Sequence, residues 1–329
     1  MRRARVKIDG EAYYHVMSRC ALQEHLLVGE VKGMFLKILR RAERFSGVEI
    51  LDYCIMDNHF HLLLKVPKRR DVPDDELNER IRVLYGDMKA DRIFARWQLL
   101  SAEGGGEIEE RERAALRKRM YDLSEFMKTF KQRFSMWYCS NHGNLEGTIW
   151  QGPFHSVLVE GNHDALGAVS SYISLNPVRA GLVNDPAEYR WSGYGAACAG
   201  DEVAKSALLS KFGGRKKTDV ERWRAFRAMI TSAAARVGET VSASAKNAGK
   251  GVEPVGKGNV RTVARQKVVT GPECRNRNVS RGVAFGSEAF VSAAIACASR
   301  TKVVHTHPEM FRVYGKQATL YSSGRRRMV

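Results

Sequence analysis

Two histidines one residue apart, His59 and His61, stand in the run Ile55-Met56-Asp57-Asn58-His59-Phe60-His61-Leu62-Leu63-Leu64-Lys65-Val66. In an extended chain alternate side chains share a face, so both imidazoles point one way and Phe60 points the other. Such a patch of sheet offers two neutral nitrogen ligands to a divalent metal. Two are too few, because a metal centre usually takes at least three protein ligands or keeps positions for water and substrate. Further along, Tyr172 and Asn176 are four residues apart in a helical stretch and therefore lie one above the other on one face. Together the four residues supply two nitrogens and an amide oxygen for a metal, and a phenol as nucleophile.

Each has a plainer role open to it. Imidazoles on an apolar strand can satisfy backbone groups in a core, a lone tyrosine is commonly core, and Asn176 ahead of Pro177 suits a C-terminal helix cap. It is the combination that favours chemistry. His15, His142 and His155 have no partner at metal spacing along the chain and read as structural or DNA-facing.

The elements that must position these residues follow from pattern. Asp9-Gly10 is a turn signal, and Ala12 to Arg19 is rich in aromatic and β-favouring residues, which predicts a first strand. Val31 to Phe45 carries Met34, Phe35, Ile38, Leu39 and Ala42 at helical spacing and stops at Ser46-Gly47. A strand over 48–56, the turn pair Asp57-Asn58 and the histidine strand form a hairpin. Residues 71–119 are highly charged, mostly helical, broken at Gly104-Gly105-Gly106, and read as a solvated insertion. From Leu123, Phe126, Met127, Phe130, Phe134 and Trp137 make an apolar helical stripe, with Lys128, Lys131 and Arg133 on other faces. Strand-like pieces at 147–150 and 154–160 flank Gly152-Pro153. Asn162 can cap a helix from His163 to Leu175 that Pro177 ends, with Asn176 in its last turn. The strand, helix, strand, strand order predicts an α+β, ferredoxin-like domain: a central antiparallel sheet with helices packed on it.

The formal charge of +18 on 329 residues points to a polyanionic partner, nucleic acid before acidic membrane. Residues 211–329 hold 24 Lys and Arg against 7 Asp and Glu, whereas 1–210 hold 30 against 29. We therefore expect a site-bearing domain over 1–210 and a basic C-terminal extension over 211–329 that binds nucleic acid or regulates access to it. Within the extension a helix is expected over 220–237 and another over 285–298, with a flexible Gly, Ser, Ala and Lys-rich stretch from Gly238 to about Gly282. Six cysteines without C-x-x-C spacing read as reduced thiols of a cytoplasmic, nucleoid-associated protein. The basic start Met1-Arg2-Arg3 has no apolar signal core after it, and no run of about 18 apolar residues spans a bilayer.

The chain resembles a known family through three blocks: Tyr14-His15-Val16 with Arg19, His59-Phe60-His61, and Tyr172-Ile173-Ser174-Leu175-Asn176-Pro177-Val178-Arg179-Ala180-Gly181-Leu182-Val183. Over about 12–195 these look like the REP-associated tyrosine transposases, relatives of the single-tyrosine HUH transposases of small insertion sequences. Ser280 to Ser287 and Leu320-Tyr321-Ser322 are similar to an extension found in some members. The family commonly has Pro where Asp57 stands, Gly where Cys20 stands and Arg where Pro153 stands.

The resemblance implies an HUH domain that cleaves and rejoins single-stranded DNA at repeat or hairpin elements. Tyr172 would be the nucleophile and His59, His61 and Asn176 the ligands of Mg²⁺ or Mn²⁺. A free phenol ionises near pH ~10 and is a weak nucleophile at neutrality, so it needs such help. DNA contacts are expected from Arg19, Lys131, Trp150 and Arg179, with Trp150 as an exposed surface for base stacking. Arg179 fits a phosphate contact and a cap of the preceding turn equally well. The protein is expected to act as monomer or homodimer, without a membrane. Two other readings stand beside this one: a catalytically silent DNA- or RNA-binding regulator on the same fold, and a metal phosphodiesterase that uses water in place of tyrosine.

Overall fold

The structure, a computed structural model, describes residues 8, 10–143, 148–210, 218–248, 284–299, 308–313 and 316–321. The chain forms two compact units, one running to Gly161 and one that begins at Asn162. The change of charge at 210 falls inside the second.

The N-terminal unit runs β1 (Ala12–Arg19), α1 (Glu30–Ser46), β2 (Glu49–Ile55), β3 (His59–Val66), α2 (Asp74–Tyr85), α3 (Asp87–Ala102), α4 (Gly106–Lys118), α5 (Leu123–His142) and β4 (His155–Val159). β1 pairs antiparallel with β3 and with β4, and β2 pairs antiparallel with β3. The strand order β2-β3-β1-β4, with α1 and α5 as the crossovers, is the ferredoxin-like arrangement. The α+β reading of the sequence is therefore correct. α1 stops where expected, because Gly47 adopts the left-handed φ of 72° and its N–H bonds Glu43 O. A side chain at Gly47 would also meet the Tyr121 ring at 2.5 Å.

The helices hold one face of the sheet through aromatic packing. Phe35 of α1 lies 5.0 Å from Phe60 of β3 and 4.7 Å from Phe130 of α5, ring centre to ring centre. Each fully buried phenylalanine stabilises by about 1.5–3 kcal/mol relative to exposure. Phe60 thus fixes which way β3 faces, and its neighbours His59 and His61 point away from α1 and α5.

The charged segment 71–119 is more than a solvated run. Val72, Leu77, Ile81, Leu84, Ala90, Trp97 and Met120 form an apolar core of their own against Phe45 of α1. Trp97 Nε1–H donates to Glu112 at 2.9 Å, and the Arg113 guanidinium covers the Trp97 ring at 4.2 Å. Charged residues close the outside of this core while their stems pack on it.

The second unit contains α6 (His163–Ser174), α7 (Asn176–Arg179), α8 (Gly193–Cys198), α9 (Glu202–Leu209), α10 (Asp219–Ala248), β5 (Ala284–Gly286), α11 (Glu288–Ser299), β6 (Pro308–Val313) and β7 (Lys316–Tyr321). Asn162 caps α6 as expected, its Oδ1 accepting from Ala165 N at 2.8 Å. Pro177 does not end a continuous helix. α6 stops at Ser174 and Asn176 opens the single turn of α7, with the proline in its first turn where no N–H is needed.

Tyr194 of α8 packs on Trp223 and Phe226 of α10, at 6.0 and 6.1 Å. The helix expected over 220–237 continues to Ala248, into the stretch expected to be flexible. The helix expected from Phe285 starts later, because Ala284–Gly286 is a strand paired with β7. The basic run 1–7, the connector 211–217, residues 249–283 and the terminal arginines lie outside the described residues. Among the described residues no helix is long and apolar enough to cross a membrane.

Candidate active site

β3 places His59 and His61 on the sheet face opposite α1 and α5, their ring centres 5.2 Å apart. The pairing register sets their surroundings. Met17 stands across from His61 and Arg19 across from His59 on β1, while Cys54 of β2 flanks His61 on the other side. His61 is buried and His59 is half-buried.

Each ring is held through the same atom. His59 Nδ1 lies 2.7 Å from Asn58 Oδ1, and the Asn58 amide nitrogen donates to Gln23 O at 3.3 Å. With its nitrogen used as donor, Asn58 presents oxygen, so His59 Nδ1 carries the proton. His61 Nδ1 lies 2.9 Å from His15 Nε2, the two rings stacked at 5.1 Å. For His59, Nε2 is then the nitrogen that can take a metal; for His61 the same holds when its Nδ1, and not His15 Nε2, carries the proton they share. Ligating histidines characteristically use the second ring nitrogen for such an anchoring bond.

Burial, assisted by the Arg19 charge and opposed by Asp57, pushes the His59 imidazolium down to about 4. At neutral pH the ring is therefore uncharged, the form that binds metal. The donor set fits a divalent ion that also accepts oxygen ligands. Among the described residues no three His, Cys, Asp or Glu side chains gather as a metal group.

The turn that carries Asn58 is built into the sheet. Met56 N–H bonds His59 O at 2.8 Å, Leu27 N–H bonds Asp57 O at 2.8 Å, and Cys20 N–H bonds Asn58 O at 2.8 Å. Asp57, where the resembling family has Pro, accepts from Lys32 Nζ at 2.6 Å. Beside it Leu22 and Gln23 hold left-handed backbone conformations, φ 51° and 61°, rare for residues with a side chain. Their strain is held by the bonds that tie 20–27 to the turn.

The residues expected to carry the nucleophile lie in the second unit. Tyr172 is half-buried on α6. Asn176 donates through Nδ2 to Tyr172 O at 2.9 Å and to Ile173 O at 3.3 Å. The capping role is therefore filled by the amide nitrogen, while the oxygen is the atom a metal would use, and one side chain can serve both purposes. Arg179 Nη1 donates to Tyr172 O at 3.0 Å, and its guanidinium lies 5.0 Å over the Tyr172 ring. Tyr172, Asn176 and Arg179 thus form one cluster, as His15, His59 and His61 form another.

Other expected DNA contacts fare differently. Arg19 is exposed at the end of β1. Trp150 is not the exposed stacking surface expected of it: it is 5% exposed, its Nε1–H donates to Ser135 Oγ at 2.9 Å, and its ring packs on Phe60 and Phe134. Lys131 donates to Gly152 O at 2.7 Å and lies 5.1 Å over the Trp150 ring, and burial pulls its ammonium down to about 8. It braces the Gly152 bend.

His142, exposed at the end of α5, stacks on Tyr138 at 4.2 Å, and its Nδ1 lies 3.1 Å from Tyr138 O. His15 and Asn58 are the site residues that spacing missed. Asn58 is next to His59 in sequence and could have been noticed, whereas His15 is revealed only by the β1–β3 register.

Residues 10–75 match the model of the family described as "Transposase IS200 like". The resemblance to tyrosine transposases is thus supported for the strands that hold both histidines. Among solved structures, the chain is similar to one described as a REP-associated tyrosine transposase bound to a REP hairpin, with 16% identity over 66% of this chain and 93% of that one and a TM-score of 0.35. It is also similar to a protein of Deinococcus radiodurans R1 assigned as a transposase, with 15% identity over 55% of this chain and 92% of that one and a TM-score of 0.26. No curated protein matches it.

Proposed function

We propose that this protein is a metal-dependent transposase of the HUH type that cleaves and rejoins single-stranded DNA, at repeat or hairpin elements, through a covalent bond to Tyr172. The observation that carries the reading is the pair of imidazoles His59 and His61 on one sheet face, ring centres 5.2 Å apart, each with its Nδ1 engaged by a neighbouring side chain. The family match over the same strands supports it.

In this reading His59 and His61, with the Asn176 amide oxygen, hold Mg²⁺ or Mn²⁺. When bound, the ion supplies Lewis-acid polarisation of the scissile phosphate and orients it. Tyr172 Oη attacks phosphorus and gives up its proton as the new P–O bond forms. The bond from phosphorus to the 3′ oxygen breaks, that oxygen keeps the electron pair and takes up a proton, and the strand is left with a free 3′-hydroxyl. A 5′-phosphotyrosyl link results. Because the link conserves a phosphodiester, attack by another 3′-hydroxyl rejoins DNA and restores the phenol without ATP. In the same reading Arg179 positions the Tyr172 ring, and Arg19, across from His59 on β1, would meet phosphate.

The test is denaturing electrophoresis of protein incubated with Mn²⁺ and a labelled pool of random-sequence single strands bearing hairpins. Wild type should retain label covalently, and His59→Ala and His61→Ala should lose it while still shifting the strands in a native gel. Retention of label by both histidine variants would overturn the metal-dependent reading. Binding without any covalent label in wild type would favour the silent regulator.

A further inference from the structure

We infer that His15 is a positioning residue for the proposed metal centre: its Nε2 accepts a hydrogen bond from His61 Nδ1–H and so fixes His61 in the tautomer that can bind metal. The inference rests on the metal-dependent reading above. His15 lies at mid-strand in β1, 1% exposed, with Leu63 directly across from it, and reaches diagonally to His61. The 2.9 Å contact between the two ring nitrogens admits a single proton. If His15 held it, His61 would carry its own proton on Nε2 and would have no lone pair there, while Nδ1 would already be occupied. If His61 holds it, Nε2 has the lone pair and His15 acts as acceptor.

Only the second arrangement makes His61 a ligand. It also makes the two histidines alike, since His59 donates through Nδ1 to Asn58 at 2.7 Å. One ring is set by a turn asparagine and the other by a buried imidazole from the adjacent strand. The stacking of His15 on His61, with 17° between the ring planes, further limits rotation of the ligand ring. His15 is therefore assigned a role toward the metal without touching it.

The test uses full-length protein and Mn²⁺ alone, with affinity measured by calorimetry. His15→Phe keeps the ring volume and removes the acceptor, whereas His15→Gln places Oε1 near the position of Nε2. His15→Phe should bind Mn²⁺ at least about 10-fold more weakly than wild type, and His15→Gln should recover to within about 3-fold. Equal affinity of wild type and His15→Phe overturns the role of His15. Failure of wild type to bind Mn²⁺ overturns the metal reading itself, so the two failures are distinct. A second measurement needs no variant: two-bond ¹H–¹⁵N correlation of metal-free wild type should show His61 protonated at Nδ1. Protonation at Nε2 overturns the inference even if His15→Phe does not fold.

Discussion

Replacing Arg179 by Met separates two roles that the sequence leaves equal. In the structure the guanidinium donates to Tyr172 O at 3.0 Å and covers the Tyr172 ring at 5.0 Å. A hydrogen bond from a charged donor contributes about 1.5–3 kcal/mol. A half-exposed cation–π contact adds about 0.5–1 kcal/mol. Ordering the long side chain opposes these by about 2 kcal/mol, which from mid-range values leaves about 1 kcal/mol of restraint on the phenol. If that restraint holds Tyr172 in its attacking position, its loss lowers the rate of the covalent step about 5-fold. The assay is single-turnover adduct formation at saturating single-stranded DNA, with strand affinity measured in parallel over a salt series. A positioning role predicts a slower step with unchanged affinity and salt slope. A phosphate contact predicts weaker binding and a slope smaller by about 0.7. The positioning argument fails if Arg179→Met forms adduct at the wild-type rate, or loses only affinity.

Trp150→Phe should destabilise the N-terminal unit by about 1 kcal/mol through loss of the bond to Ser135, read by urea denaturation, with strand affinity unchanged; lost affinity at unchanged stability would restore the stacking role. Glu76, held by Arg70 and Arg80, has its carboxyl depressed to about 2. Its folded value lies below its unfolded one, so its contribution is complete above about pH 4.5 and is lost as pH falls toward 2. Because Glu76 is only half-buried and its partner Arg70 is exposed, solvent screening holds the loss to about 0.5–1 kcal/mol, seen as a shallower acid dependence of unfolding in Glu76→Gln. Gly195→Ala would bring a Cβ to 2.1 Å from Tyr189 O in the tight start of α8 and should cost about 3 kcal/mol or more, measured as a lower denaturation midpoint of the second unit.

Much of this was readable from residue order because it rests on local rules. Strand alternation put His59 and His61 on one face, Gly47 ended α1, and Asn162 capped α6, each a matter of a few neighbouring residues. The antiparallel layout followed from element order and a short hairpin. What escaped needed tertiary register. His15 meets His61 only because β1 pairs with β3 in one particular offset. Trp150 is buried because it lands between Phe60 and Phe134, and nothing in Gly147 to Gly152 announces that. β5 is three residues long and exists through its pairing with β7, more than thirty residues on, so a helix signal in the following apolar run absorbed it. The core of the charged insertion was hidden for a different reason. Leu77, Ile81 and Leu84 keep helical spacing, but the density of Arg and Glu around them masked the stripe.

The account turns on Tyr172 as the residue that becomes bonded to DNA. The most direct measurement is mass spectrometry of peptides from protein treated with Mn²⁺ and single-stranded DNA, denatured, and digested with nuclease and protease. A nucleotide phosphate on the peptide that contains Tyr172, absent from Tyr172→Phe, is the predicted result. A phosphate on a different tyrosine, or an undiminished adduct in Tyr172→Phe, would contradict it.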